Sequence, residues 1–392
     1  MVDLEDYRED WASMSRTEQG TTVGLVLIGT FLVVALLSGA LAPAYLAFLV
    51  GLGAMYALLS LGLNAQWGFT GLINFSVAAF FGIGAYGTAL MTADSSPIAG
   101  GFNPLVGLFI ALVLTAFLAL LIGIPTLRLR ADYLAIASLG LAEVVRLIAL
   151  NERQWTNGSA GVRGVPTFFE GWPVLETLPS TLPSVRVAVV PGSPIVLEAP
   201  FYGAFLDLVV VAVFLAVSYW VLRRVHRSPW GRVLRTIRSD EDLAEALGKN
   251  TYSYKMQSFV FGSLIMALAG VFAAHLTRFV APGTLDPITT FYVWVAVMLG
   301  GSGSNRGALL GGFVIVAIRE GSRFVNDVGA LPVDAASLRL LVIGVLIIVV
   351  MRFRPQGLLP PQKELIWPGT VDETPSSIDR GVREARMGDT DE

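Results

Sequence analysis

Stretches of roughly eighteen or more uncharged, largely apolar residues recur along this chain, each long enough to cross a bilayer as a helix. In hydrocarbon the backbone must satisfy its own hydrogen bonds, so such blocks fold as helices. Composition agrees. Of 392 residues, 54% are hydrophobic and 15% charged, where soluble domains carry about a quarter charged residues. The expected fold is therefore all-α, a polytopic transmembrane helical bundle in the cell membrane.

Ten spans are expected: Val23 to Leu41, Tyr45 to Leu63, Leu72 to Thr92, Leu105 to Leu127, Leu134 to Leu150, Phe201 to Leu222, Phe259 to Val280, Phe291 to Leu299, Ala308 to Phe324 and Leu338 to Met351. The third and eighth are short or Gly-interrupted and read as broken or re-entrant helices. No basic region precedes the first block, so a retained span is expected there and not a cleaved signal peptide.

Charge sets the orientation. With both termini cytoplasmic, the inner loops hold Arg128, Arg130, a dense set from Arg223 to Arg238, then Arg306, Arg352 and Arg354. The long outer loop, 151–200, holds only Arg153, Arg163 and Arg186. That distribution satisfies the positive-inside rule. Five spans precede the outer loop and five follow it, the count that two inverted five-helix halves would give. The chain divides into an acidic cytoplasmic tail at 1–20, a transmembrane domain at 21–361 and a disordered acidic tail at 362–392.

Several chemistries are excluded. Without cysteine there is no disulfide, thiolate metal site or cysteine nucleophile. His226 and His275 stand far apart, so no metal pair is expected, and no acid–base or nucleophile constellation stands out. The P-loop pattern is absent; Gly248 and Lys249 are followed by Asn250. No catalysis, cofactor or nucleic-acid partner is expected, and any ATP that drives the chain binds a partner.

The inner loop 223–257 is long, charged and amphipathic. Asp240, Glu241 and Asp242 open a helix-like stretch, where carboxylates favour the N-terminal dipole, and Gly248 ends it. Such a helix is either a lever for an energy-supplying subunit or an amphipathic segment on anionic lipid.

Polar residues inside apolar blocks form two groups. Glu143 and Arg146 share a helix face and can pair, either as a structural ion pair or as part of a path. Asn64, Thr70, Asn74 and Ser76 surround a Gly-rich break before the third span. A half-helix start there could hold a carboxylate, while its small residues suit helix packing. Gly307 and Gly311 form a GxxxG packing step, with a second permease as one partner for it.

Four blocks in order resemble the M-type permease of branched-chain amino-acid ABC importers. They are GFTGLINFSVAAFFGIGAYGTAL from Gly68; LRLRADYLAIASLGLAEVVRL from Leu127 with TNGSAGVRGVP from Thr156; the loop from Ser228 to Lys255 continuing to Gly270; and LGGSGSNRGALLGG from Leu299 with FRPQGLL from Phe353. The resemblance implies a second permease, two ABC ATPase subunits, an extracytoplasmic substrate-binding protein and surrounding membrane lipid. It places the ATPase-coupling helix on Gly231, Arg232, Arg238, Glu241, Ala244, Gly248 and Lys255. Asn64, Thr70, Asn74, Ser76, Glu143 and Arg146 are then the expected translocation path. The chain departs from the pattern at Ser76 and Val77, where Gly-His is usual, and at Asn157, Thr236, Glu245 and Lys249. Two readings compete on substrate and drive: an ABC permease for urea, and an ion-driven secondary transporter of amino acids. A non-transporting scaffold explains the spans but not the amphipathic loop.

Overall fold

The computed structural model of the chain describes residues 36–37, 41–190, 193–327, 335–354 and 356–360. The expected first span, apart from 36–37 and 41, and the tails 1–20 and 362–392 lie outside the described residues.

The bundle is built from α1 (Pro43–Leu63), α2 (Val77–Thr92), α3 (Pro104–Thr126) and α4 (Ala131–Asn151), then a short helix α5 (Pro173–Thr181) and α6 (Ala199–His226). Two short helices follow, α7 (Pro229–Ser239) and α8 (Glu241–Ala246), and then α9 (Thr251–Thr277), α10 (Pro287–Gly300), α11 (Asn305–Asp327) and α12 (Ala335–Phe353). Proline opens α1, α3, α7 and α10, where its missing N–H costs nothing. Side chains of Asn103, Ser228, Asp240, Asn250 and Asp286 accept first-turn amides of α3, α7, α8, α9 and α10.

Five described helices are long and apolar enough to cross a membrane: α1 with its π-helical extension to Gly68, α3, α4, α6 and α9. They are not equivalent. In α1 and α9, 72% of the most apolar window is buried within the chain, against 22–28% in α3, α4 and α6. The first two are central, packed against each other, with α2 and α11 beside them. The other three turn broad apolar faces outward, including Phe109 and Phe117 of α3 and Ile136 of α4.

Several span boundaries move. The third span does not start as helix at Leu72: residues 71–76 are non-helical, and α2 has 16 residues. Gly71 at φ +74° turns the chain there. The seventh starts eight residues before Phe259, because Asn250 caps α9 ahead of the apolar run. It stops at Thr277, where Arg278 is left-handed, and Phe279–Val280 instead form a strand paired with Val162–Arg163. The eighth span is α10, 14 residues. As helices α2 and α10 reach about 24 and 21 Å, short of the roughly 30 Å hydrocarbon core.

Gly307 and Gly311 pack within the chain. A Cβ on Gly311 would sit 1.8 Å from the Ala296 carbonyl oxygen of α10, and one on Gly307 2.4 Å from that of Gly300. The step therefore packs α11 against α10. In the segment 151–200, Val185–Val190 and Ser193–Leu197 form an antiparallel hairpin.

Candidate functional site

After Leu63 the central helix α1 loosens into a π-helical turn, Asn64–Gly68, and then breaks. Such turns recur at functional sites. Gln66 is the hub of the break. Its amide donates to the Phe259 carbonyl (2.7 Å) and Ser263 Oγ (3.2 Å) on α9, and its Oε1 accepts from Asn74 Nδ2 (2.7 Å). Asn74 Oδ1 in turn accepts from the Ser76 amide (2.8 Å) and hydroxyl. Thr70 donates to the Gln66 carbonyl and meets Ser258 Oγ at 3.3 Å. Asn64 donates to Asn305 (3.1 Å) and accepts from the Gly303 amide (2.7 Å).

Thus Thr70, Asn74 and Ser76 are joined through Gln66, while Asn64 bonds instead to Gly303 and Asn305; all four are buried and bond to the chain itself. The start of α2 is held from inside as well, its Ala78 amide donating to Thr290 Oγ1 at 3.0 Å. In this conformation the cluster locks a broken helix against α9, α10 and the start of α11.

Beside the lock stands an aromatic group. The Trp294 indole donates to the Asn74 carbonyl (3.0 Å) and stacks on Phe75 at 4.9 Å. Trp67 and Phe291 complete it, at 4.7 Å from Trp294 and 5.7 Å from Phe75 respectively. The Phe75 amide bonds Ser138 Oγ of α4 (2.9 Å). One to two turns further along α4, Glu143 and Arg146 form a two-pronged ion pair, with Nε to Oε2 at 2.8 Å. Their side chains are 38% and 30% exposed on the chain surface and do not hydrogen-bond to the buried lock.

The expected coupling residues fall on α7, on α8, on the turn that ends α8 and, with Lys255, on the start of α9. Gly231 sits where a Cβ would meet the His226 carbonyl at 2.4 Å, so only glycine lets α7 fold back this tightly on α6. Arg238 reaches inward. It donates to the Gly68 carbonyl at the break and to Ser302 Oγ (3.2 Å) in the turn before α11. Burial holds its guanidinium below the usual range. Phe69 packs on the His226 ring at 4.6 Å. Ala244 is buried, while Glu241 pairs with Lys255 and ties α8 to α9. Gly248, at φ +75°, ends α8 in open space. Arg232 is exposed.

Sequence reasoning passed over several residues. Gln66 is one polar residue in an apolar run and gives no signal of its hub role. Leu243 and Leu247, one helical turn apart, are 50% and 65% exposed, an apolar pair facing away from the bundle. Arg319 sits inside α11, donating to the Tyr56 hydroxyl, 5.6 Å from the Tyr56 ring and 5.8 Å from that of Tyr292. Asp207 lies within α6; both it and Arg319 were legible as charges in apolar runs.

Among the described residues no cluster of three or more His, Cys, Asp or Glu is placed to hold a metal ion. No solved structure matches the chain. Its sequence is 32% identical to the high-affinity branched-chain amino acid transport system permease protein LivM of Escherichia coli K12, over 79% of this chain and 70% of that protein. It is 27% identical to the probable branched-chain amino acid transport permease protein LivM of Methanocaldococcus jannaschii, over 80% and 92%. The Escherichia coli K12 permease LivH is 26% identical over 68% and 81%. The family model for the branched-chain amino acid transport system / permease component matches residues 45–351, so it spans the lock, α4, α7, α8 and the turn before α11, and the chain belongs to that family.

Proposed function

We propose that the chain is the translocating permease of an ABC importer for branched-chain amino acids. It has ten spans, with both termini and the segment 223–257 cytoplasmic and the loop 151–200 outside. Beside it stand a second permease, two ATPase subunits that bind and hydrolyse ATP, and an extracytoplasmic binding protein that delivers substrate.

Double anchorage of α7 and α8 supports this reading most directly. Arg238 fastens α7 to the break after α1, the Phe69–His226 contact fastens the end of α6 there, and Glu241–Lys255 fastens α8 to the start of α9. Movement imposed on the unit therefore reaches both central helices. Leu243 and Leu247 are its docking face. Gly231, Ala244 and Gly248 shape the unit, and Arg232 lies on its outer surface.

The path follows the seam between α4 and α10. Phe75 and Phe291 give an apolar wall for an aliphatic side chain. Glu143 and Arg146 supply opposite charges for a zwitterion, on a face where charges in contact with lipid would be costly. Asn64, Thr70, Asn74 and Ser76 fix the wall and open with it. This combination of apolar wall and few polar groups suits a small amphiphilic ligand.

The test is labelled leucine uptake into vesicles holding the chain, its partner subunits and its binding protein, with ATP on the cytoplasmic side and ion gradients collapsed. ATP-dependent uptake blocked by isoleucine and not by urea is expected. Uptake that ignores ATP and follows a restored ion gradient would overturn the importer reading. ATP-driven uptake of urea alone would overturn the substrate.

A further inference from the structure

Where α6 leaves the apolar region, its outward stripe changes chemistry within three turns. Val213 and Val217 are more than half exposed, and Trp220, next on the same face, is 66% exposed. Arg223, Arg224 and Arg227 follow at the helical spacings that keep them beside Trp220. These residues, with Ser228 and Pro229, line a cleft of ≈ 440 Å³. Among the described residues no carboxylate or carbonyl pairs with the three guanidiniums, and each side chain is exposed.

We propose that this cleft holds the phosphate headgroup of an anionic phospholipid of the cytoplasmic leaflet. Each feature fits that occupant. The valines lie at acyl-chain depth. Trp220 has an apolar ring and one N–H donor, the combination enriched at the headgroup boundary. The guanidiniums present forked donors that match phosphate oxygens. The site stands two residues before α7, so a bound lipid steadies the joint through which α7 leaves α6. The leaflet rests on the cytoplasmic placement of 223–257 proposed above; the cleft and its charges do not.

The test is native mass spectrometry of the full chain released from nanodiscs of phosphatidylcholine with a minor share of phosphatidylglycerol. Wild type is expected to retain phosphatidylglycerol. Replacing Arg223, Arg224 and Arg227 together by Gln should weaken retention on the order of a hundredfold, at roughly fivefold per charge near an anionic surface. Replacing the same three by Lys should restore most of it. If the triple Gln variant does not fold, the pair Arg224→Gln and Arg227→Gln serves, with a proportionally smaller loss. Equal retention by wild type and either Gln variant would overturn the site. Displacement of the lipid by excess inorganic phosphate would show a free-anion site and overturn the lipid assignment. A Thr236→Cys probe labelled by an impermeant reagent from outside would overturn the cytoplasmic placement alone, leaving lipid retention to report on the cleft.

Discussion

The Arg238 guanidinium of α7 hydrogen-bonds the backbone carbonyl of Gly68, the last residue of the π-helical turn that ends α1. A side chain from a surface helix thus closes a carbonyl that the broken helix cannot satisfy itself. Arg238→Gln keeps a shorter donor that cannot span to both Gly68 and Ser302. ATP hydrolysis by the assembled transporter is expected to persist while leucine uptake falls at least about tenfold, the cost of one charged hydrogen bond in the coupled step. Arg238→Lys, with one donor group where Arg has a fork, should fall between the two. The ratio of ATP hydrolysed to leucine transported is the measurement. A variant that loses both activities together would mark Arg238 as a fold residue only.

Gly248 ends α8 at φ +75° with nothing within 4 Å of where a Cβ would stand. Space is therefore not the constraint; backbone conformation is. Asn tolerates the left-handed region, and a β-branched residue does not. Gly248→Asn should keep coupled uptake near wild type, while Gly248→Val should lose about 1–2 kcal/mol locally and uncouple hydrolysis from uptake. Equal behaviour of the two variants would show that the turn is not what matters here.

Leu243 of α8 and Leu247 just after it are 50% and 65% exposed among the described residues. Replacing both by Ser removes apolar area that is open to a partner. Thermal stability of the isolated chain should stay within about 0.5 kcal/mol of wild type, as for surface substitutions generally. Co-purification with the ATPase subunits should fall sharply. Undiminished co-purification would exclude this face as the docking surface.

Much of the bundle was legible because hydropathy alone decides where a helix can cross lipid. The apolar runs gave α1 and α3 to within two residues at each end. The weak third and eighth spans proved to be the short helices α2 and α10. Where polar caps set the boundary the reading failed: α9 starts at Thr251, under Asn250 and before the charge of Lys255, in a stretch that looks like loop. The lock was half legible. Asn64, Thr70, Asn74 and Ser76 cluster in sequence, but Gln66 gains its meaning from Phe259 and Ser263, nearly two hundred residues away. Likewise, the outward pose of Leu243 and Leu247 depends on how α8 seats on α9, which no local pattern encodes.

Phe291 is 45% exposed and contacts Phe75, 5.7 Å away, across the seam from α4. If this wall carries the aliphatic side chain of the substrate, Phe291→Ala should weaken transport of leucine more than that of alanine. The expected loss is about 1–3 kcal/mol in kcat/KM, the range for hydrophobic pocket discrimination. Competition between the two amino acids in the vesicle assay reads it. An equal loss for both substrates would place Phe291 in packing and not in selection.

Arg319 donates to the Tyr56 hydroxyl and lies 5.6 and 5.8 Å from the Tyr56 and Tyr292 rings, joining α11 to α1 and α10 near the bundle centre. Two kinds of attraction coincide there, and conservative variants separate them. Tyr56→Phe keeps the ring face and removes the hydroxyl, which should cost about 1.5–3 kcal/mol, the range for a hydrogen bond to a charged group. Tyr56→Leu removes the π face as well and should cost roughly 0.5–2 kcal/mol more. Thermal unfolding of the chain in nanodiscs measures both. Because Tyr56 and Tyr292 are 1% and 6% exposed, Leu leaves a small void at either, so the control is Tyr292→Leu: the same ring type at the same cation, with the Arg319–Tyr56 hydrogen bond left in place. If Tyr292→Leu and Tyr56→Phe each destabilise and Tyr56→Leu costs more than either, both attractions hold α11. If Tyr56→Phe alone accounts for the whole loss, the guanidinium acts there as a hydrogen-bond donor and the ring faces add nothing.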